Sequence, residues 1–250
     1  MPQHVLLNSV DHQQLRVITE RGAQYGDNLW FAPTFPLEFR SVQAQYPIFF
    51  VKEGATGRLM PVALFGFQQQ ENLFLQHNNW QHSYIPLSVL RQPFLIGLQQ
   101  IREQGVEQTQ RVLHIDLQSP RVSASEGETL FLPYGGNSPY LDEMAGLLET
   151  LHLGLQDSQQ FVALLLEFNL LEAFTLEVQL DDGSQHQMAG FYTIAESVLQ
   201  QLDASALATL HQYGYLQAIY LQIASQSRIR QLLQLKNQLL SAQPCKQESR

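Results

Sequence analysis

Basic residues are missing from a long internal stretch of this sequence. There is no Lys or Arg between Arg121 and Arg228, and this stretch carries thirteen acidic residues. The chain before it has nine bases and nine acids, and the formal net charge of all 250 residues is −9. Because nucleic acid binding depends on cations that neutralise phosphates, this charge distribution argues against a nucleic acid partner. We expect a partner with a basic surface instead.

Cysteine and long apolar runs are also scarce. The single cysteine, Cys245, lies in a polar C-terminal segment, so an intramolecular disulfide or a thiolate metal cluster is excluded. No apolar run approaches the roughly 18 residues of a membrane-spanning helix, and the first residues lack the basic and apolar regions of a secretory signal. We therefore predict a cytoplasmic protein without membrane insertion, in which residues 242–250 form a disordered tail.

Buried strands are predicted in the most apolar part of the sequence, Pro36 to Leu75. Two apolar runs, Tyr46 to Val51 and Pro61 to Phe67, are rich in Val, Ile and Phe and are bounded by Gly and Pro. Helical patterns dominate much of the remaining chain. The predicted fold class is α+β, with a mostly antiparallel central sheet and helices packed against it, in a single domain of residues 1–241.

Capping residues, turn dipeptides and periodicity predict the elements that follow. Asp182-Gly183 indicates a hairpin, Ser138-Pro139 a helix start and Gly154 a helix end. The predicted helices cover residues 87–101, 138–153, 157–171, 196–202, 203–213 and 228–240, and the predicted later strands cover residues 111–117, 174–180, 185–194 and 215–223.

A metal site is one interpretation of His114 and Asp116. Side chains two apart on a strand point to the same face, and an HxD pair with a distant His is the ligand set of non-haem iron oxygenases. The third ligand in this interpretation is His152, His186 or His211. A 2-oxoacid cosubstrate is usually held by a Lys or Arg soon after the distal His, and none follows these candidates before Arg228. The alternative is that both residues are structural.

A binding pocket is a second candidate. Glu71 and Asn72 follow the predicted central hairpin, and Trp80 and Tyr84 follow soon after. Polar residues beside aromatic rings are common in ligand or peptide grooves, and we add Arg91 to this candidate set. The alternative is a plain turn that core rings cover.

Motifs along nearly the whole chain resemble those of the SapC family. They are Pro36-Leu37-Glu38-Phe39, Tyr46-Pro47-Ile48, Pro61-Val62-Ala63-Leu64 with Gly66, Glu71-Asn72-Leu73-Phe74, Trp80, Tyr84-Ile85-Pro86, Arg91-Gln92-Pro93-Phe94, Ile115-Asp116, Glu126-Gly127-Glu128, Leu130-Phe131, Asp182-Gly183, Gly190-Phe191, Gly214 and Ile219-Tyr220. The resemblance implies a bacterial protein whose family label refers to surface-layer (S-layer) assembly. It implies no catalytic residue. Relatives are often encoded near TonB-dependent receptors, cupin-like proteins and halogenase-like proteins, which implies an accessory role.

The function expected from these observations is that of a non-enzymatic cytoplasmic accessory protein without a cofactor. It would bind a protein or peptide partner. The alternative from another class is the 2-oxoacid-dependent oxygenase with His114 and Asp116 as metal ligands.

Overall fold

The structure is a computed structural model that describes residues 3–76, 79–81, 84–103 and 106–242, with only the backbone of residues 101–103, 106, 108, 186 and 242. The remaining predicted tail residues, Cys245 among them, lie outside the described residues. The strands are β1 His4–Leu6, β2 Arg16–Val17, β3 Phe31–Pro33, β4 Ile48–Lys52, β5 Leu59–Leu64, β6 Leu75–Gln76, β7 Asn79–Trp80, β8 Phe94–Glu103, β9 Val106–Asp116, β10 Val122–Ser123, β11 Glu128–Thr129, β12 Leu171–Gln179 and β13 Gln185–Ile194. The α-helices are α1 Phe39–Val42, α2 Leu87–Leu90, α3 Pro139–Glu167, α4 Glu196–Leu199, α5 Ala204–Gln212, α6 Tyr215–Ser225 and α7 Ile229–Ala242.

The predicted α+β class is confirmed, but the strands form several antiparallel sheets instead of one central sheet. The chain divides into two compact units. Among the described residues, those within 1–27, 77–80 and 87–153 form unit 1, and those within 28–76, 81–86 and 154–250 form unit 2. No described helix is both long and apolar enough to cross a membrane.

Unit 1 is built on the long β8–β9 hairpin. Strand β1 pairs with β9, and the short strands β10 and β11 pair with either side of β2. Alternation along the hairpin places Phe94 and Ile115 in a core with residues from the first turns of α3, because successive strand side chains point to opposite faces. The other buried members of this core are Val17, Leu130, Phe131, Leu141, Met144 and Leu148.

Unit 2 contains a five-stranded antiparallel sheet in the order β12-β13-β4-β5-β3. The predicted Asp182-Gly183 hairpin is confirmed as β12 and β13, and Gly183 has the positive φ of 84° that such a turn requires. Aromatic rings fill the interior. The ring of Tyr46 meets Phe74 edge to face, with 4.9 Å between their centroids.

Helix α3 begins where the sequence predicts but does not end at Gly154. Ser138 Oγ accepts a hydrogen bond from the backbone N–H of Leu141 at 3.2 Å, which is the predicted N-terminal cap. The helix then continues through Gly154 to Glu167. A Cβ at Gly154 would lie 2.2 Å from the Phe35 ring, so this glycine makes room for an aromatic side chain instead of ending the helix.

The helix predicted over residues 87–101 is wrong beyond its first turn. Leu90, Phe94 and Leu98 follow helical spacing, yet α2 ends at Leu90 and β8 begins at Phe94. Pro93 cannot continue a helix, and the following segment pairs with β9 along its whole length. Phe94 and Leu98 point to the same face of β8, but Phe94 is fully buried and Leu98 is 69% exposed, so the core covers only the start of the strand.

The strand predicted over residues 215–223 is also wrong, because this segment is helix α6. Its buried face includes Tyr215, Ile219, Gln222 and Ser225, which recur at helical spacing. Two of these residues are polar, so the helical period of this buried face cannot be seen from the apolar residues alone. Gln222 Nε2 donates to the backbone oxygen of Ile48 at 2.7 Å, and Ser225 Oγ accepts from its N–H at 2.9 Å.

Candidate functional site

Glu71 and Asn72 stabilise the turn that connects β5 and β6. Glu71 Oε2 accepts a hydrogen bond from the N–H of Phe67 at 2.8 Å, and Oε1 forms an ion pair with Lys236 Nζ of helix α7. Asn72 Oδ1 accepts from the N–H of Phe74 at 3.0 Å. Both side chains therefore have structural partners in unit 2, and their role as ligand-binding residues stays a prediction.

Three hydrogen bonds connect Tyr84 to other residues of unit 2. Its hydroxyl donates to Glu38 Oε1 at 2.8 Å, its N–H donates to Gln45 Oε1 at 3.3 Å, and its carbonyl accepts from the Tyr46 hydroxyl at 2.6 Å. Burial raises the pKa of Tyr84 above its usual value, and the Glu38 carboxylate raises it further. Glu38 also accepts from Thr34 Oγ1 at 2.6 Å. Tyr84 is thus a neutral donor to a buried carboxylate.

Trp80 and Arg91 belong to unit 1. Trp80 is 5% exposed, which is typical of a core ring. Arg91 Nη1 donates to the backbone oxygen of Phe94 at 2.8 Å, and burial lowers the pKa of the guanidinium. Arg91 therefore fixes the start of the β8–β9 hairpin. In unit 2 the structure brings together Glu71 and Asn72, while Tyr84 is engaged by a different set of residues.

His114 and Asp116 lie two residues apart on β9, as the sequence predicts, but each has a structural environment. The His114 ring packs over Gly97, where a Cβ would lie 2.5 Å from Nε2. Asp116 Oδ1 accepts hydrogen bonds from the N–H groups of Gln3 at 2.8 Å and Gln118 at 3.1 Å. Among residues whose side chains the structure describes, no group of three or more His, Cys, Asp or Glu is placed to hold a metal. His186, one of the proposed third ligands, is outside that set.

Unit 1 contains a buried ionic cluster that we call the Arg121 cluster: Arg21, Tyr25, Asp27, Arg121 and Tyr140. Arg121 and Asp27 are 1% and 0% exposed, and Arg121 Nη2 lies 2.7 Å from both carboxylate oxygens. The guanidinium lies over the Tyr25 ring, 5.5 Å from its centroid. Arg21 Nη1 is 3.4 Å from the same carboxylate. Two cations thus share one buried anion.

Hydrogen bonds to the backbone show what this cluster does. Arg121 Nη1 donates to the carbonyl oxygens of Ile18 at 3.1 Å and Glu20 at 2.8 Å. Burial lowers the pKa of Arg21, and repulsion from Arg121 adds to this effect. Burial raises the pKa of Tyr140 to about 12. The Arg121 cluster therefore connects the segment after β2 with the turn before β10. Its charged groups have a structural role.

Unit 2 contains an open groove of about 860 Å³ with two walls. One wall is formed by residues 33–34 of the β3 end and residues 52–53 and 56–61 of the β4–β5 hairpin. The other wall belongs to the second half of α3, with Leu155 and Leu166 38% and 52% exposed. The side chains that α3 contributes are Leu155, Ser158, Gln159, Val162, Ala163 and Leu166. This surface is hereafter called the groove.

Charge in the groove lies only on the hairpin wall. Lys52 and Arg58 contribute cations, and Glu53 contributes one carboxylate, which accepts a hydrogen bond from Thr56 Oγ1 at 2.5 Å. The six α3 side chains are uncharged, although α3 belongs to the acidic stretch of the sequence. The groove therefore has a cationic border beside an apolar wall.

One polar side chain in the α3 wall is unsatisfied. Ser158 is 5% exposed, and its Oγ has no hydrogen-bond partner and no contact with solvent. An unpaired buried hydroxyl costs roughly 1–3 kcal/mol, so a polar group that reached it after a rotation of the side chain would be stabilised. Such unpaired groups are few in folded proteins, and Arg121 Nε and Gln222 Oε1 are in the same state in the described part of the chain.

Comparison with known proteins assigns the family. A family model named SapC matches residues 7–232 of the 250-residue chain. The chain belongs to the SapC family. No curated protein and no solved structure matches it. The family expected from the sequence motifs is thus confirmed.

Sequence reasoning missed the groove of this SapC protein because its walls come from separate parts of the chain. One signal was nonetheless present in α3. Leu155, Val162 and Leu166 are spaced by seven and four residues, so they lie on one side of α3, and Leu155 and Leu166 are exposed there. Apolar side chains that remain exposed on a helix are available to contact a ligand or a partner protein.

Proposed function

We propose that this SapC-family protein is a non-enzymatic accessory protein that binds an apolar peptide segment of a protein partner in the groove. The observation that carries the proposal is the groove itself, an open cleft of about 860 Å³ with exposed leucines along one wall. Clefts of this volume with apolar walls and few polar groups are typical binding sites. Exposed apolar patches in a folded protein commonly mark interaction surfaces.

The hydrogen bonds of three carboxylates support a binding role over a catalytic role. Glu71 is paired with Lys236, Asp116 accepts two backbone N–H groups, and Glu38 accepts from Tyr84 and Thr34. Each carboxylate has hydrogen bonds that maintain the fold. A general acid or base must form a hydrogen bond to its substrate, and these carboxylates already accept hydrogen bonds from the protein itself.

A peptide fits the groove better than an alkyl chain does. Gln159 is exposed and lines the groove, and its side chain forms no hydrogen bond within the described residues, while the buried Oγ of Ser158 has no partner. An alkyl chain would remove water from the Gln159 amide and would offer no hydrogen bond to Ser158, which is unfavourable. A peptide supplies backbone N–H and carbonyl groups for them. The polar side chains within the apolar wall therefore favour a peptide occupant.

The cellular setting in the proposal comes from sequence and resemblance. The single cysteine suits a reducing compartment, so we place the protein in the cytoplasm. The resemblance points to partners in TonB-dependent receptor, cupin-like or halogenase-like systems. A basic partner surface, expected from the acidic stretch, would contact residues outside the groove, because the α3 wall carries no acid.

Selection of peptides on the purified full chain tests the proposal. A phage-displayed library of random dodecapeptides is panned against the wild type, and the enriched peptides are synthesised. Binding is then measured by fluorescence anisotropy. We expect the enriched peptides to bind the wild type and to lose binding to Ala163→Trp, because an indole at this exposed position fills the groove.

The matched control is Ala208→Trp, which places the same ring at an exposed position of α5 that does not line the groove. This variant should bind the peptides as the wild type does. Circular dichroism and thermal unfolding confirm that both variants are folded. Enriched peptides that bind Ala163→Trp unchanged, or a library that yields no binding peptide, would refute the peptide-binding proposal.

A further inference from the structure

We infer that the segment bound in the groove carries an acidic side chain, which Arg58 and Lys52 recognise at the border of the apolar wall. This inference rests on the proposed function and specifies the chemistry of the partner. The predicted occupant is an apolar peptide with an Asp or Glu next to its apolar residues. A partner without that carboxylate would fill the same groove with lower affinity.

The first step is the position of Arg58. The β4–β5 turn holds its backbone in place: its carbonyl accepts from the N–H of Glu53 at 2.8 Å, and its N–H donates to Thr56 Oγ1 at 3.2 Å. The guanidinium, in contrast, has no hydrogen bond or ion pair within the described residues. A guanidinium on a fixed backbone presents a planar pair of N–H donors that matches a carboxylate.

Lys52 is the second cation of the border. Its Nζ lies 5.6 Å from the centroid of the Tyr192 ring, which keeps the ammonium group near the sheet without neutralising it. No described carboxylate forms an ion pair with it. Two cations without salt-bridge partners therefore remain at this border, and a ligand carboxylate would complement them.

The acids near the groove do not cancel this charge. Glu53 accepts a hydrogen bond from Thr56 Oγ1 at 2.5 Å and is the one acid among the lining residues, so it offsets one of the two cations and leaves a net charge of +1. Asp157 precedes Ser158 in α3, but its Oδ1 accepts from the Tyr215 hydroxyl at 2.6 Å and it does not line the groove. The groove thus attracts an acidic peptide although the chain as a whole is acidic.

The test uses a pair of peptides that differ only in charge. From the selected dodecapeptides, one with an Asp or Glu is synthesised together with its Asn or Gln counterpart. We expect the acidic peptide to bind the wild type roughly three to ten times more tightly than the amide peptide, as charge-assisted pairs at a partly exposed border do. Arg58→Gln and Lys52→Gln should each remove most of that difference and leave the amide peptide unaffected.

The matched control is Arg40→Gln, which removes an exposed cation of unit 2 that does not line the groove. It should preserve the preference for the acidic peptide. Equal binding of both peptides, with block by Ala163→Trp intact, would refute the inference and leave the proposed function standing. A preference for the acidic peptide that survives Arg58→Gln and Lys52→Gln together would also refute it.

Discussion

The charged side chains of the Arg121 cluster are largely buried and paired, whereas the cations of the groove are exposed and form no ion pair among the described residues. In the cluster, Arg121 and Asp27 are almost fully buried and paired with each other, and Arg121 also donates to two backbone carbonyl oxygens. In the groove, Arg58 and Lys52 stand at an open border without an ion pair among the described residues, and Ser158 has no partner. The buried ion pair thus stabilises the fold of unit 1, whereas the exposed cations of the groove border are where the proposed ligand would bind.

Removal of the buried anion should have the largest effect on stability. Asp27→Ala leaves Arg121 and Arg21 without their carboxylate, so we expect the free energy of unfolding to fall by about 3–5 kcal/mol. Urea unfolding of the full chain, followed by circular dichroism, measures this loss. Arg58→Gln at the groove border is the control and should change stability by less than about 0.5 kcal/mol. Similar losses for the two variants would contradict the contrast drawn between the regions.

Helix α3 offers a second comparison because it contributes residues to both units. Gly154→Ala should destabilise the protein by about 1–3 kcal/mol, since the new methyl group overlaps the Phe35 ring. Gly146→Ala should stabilise it by about 0.5–1 kcal/mol, because this exposed glycine has nothing near its Cβ position. Thermal unfolding midpoints of the two variants should shift in opposite directions. An equal gain in both would show that Phe35 does not require the glycine.

Tyr84→Phe probes a buried polar contact of unit 2. Glu38 loses a donor and keeps Thr34, so we expect a loss of roughly 1–3 kcal/mol at neutral pH. Because the pKa of Tyr84 is raised in the folded state, its stabilising effect is complete below about pH 10 and is lost as the pH rises through the folded pKa. The wild type should thus lose more stability above that pH than the variant does.

The exposed Tyr220 supplies the control for this pH dependence. Tyr220→Phe, at a residue that is 56% exposed, should reproduce the wild-type stability curve between neutral and alkaline pH. Tyr140 and Tyr215 also have raised pKa values, so Tyr84→Phe should keep part of the alkaline loss. Parallel curves for the wild type and Tyr84→Phe would argue against the hydrogen bond to Glu38.

The smallest expected effect concerns the acidic surface outside the groove. Glu172→Gln and Glu177→Gln neutralise two exposed acids of β12. If a basic partner surface meets this region, captured partner in a pull-down should decrease as ionic strength rises from about 0.05 M to about 0.5 M. The double variant should depend less on salt than the wild type. If the wild type and the double variant show the same salt dependence, Glu172 and Glu177 do not contact a basic partner surface.

Short-range chemistry made several elements predictable. Asp203 caps α5, accepting from the N–H of Ala206 at 2.8 Å, and Asp182-Gly183 closes the β12–β13 hairpin. The predictions were wrong where tertiary contacts override the local structural preference of a residue. Gly154 indicates a helix end until the Phe35 ring is known to lie against it. Buried Gln222 and Ser225 hide the period of α6 because they are polar.

The candidate site was less predictable for a related reason. His114 and Asp116 share a strand face as predicted, but only the structure shows that Gly97 and backbone N–H groups engage them. Glu71 was selected for its place after a hairpin, whereas its ion pair is with Lys236, far along the chain. The groove joins the β4–β5 hairpin to the second half of α3, and no local pattern connects these segments.

The pairing of β4 with β13 has a consequence for synthesis of the protein on the ribosome. Strand β4 pairs with β5 soon after both emerge, but its other edge stays bare until Gln185–Ile194 have been translated. During that interval a strand edge with the side chains of Phe49 and Phe50 is open to pairing with other chains. We expect the nascent chain to need protection by a chaperone until β13 arrives, and truncations that end before β13 to aggregate.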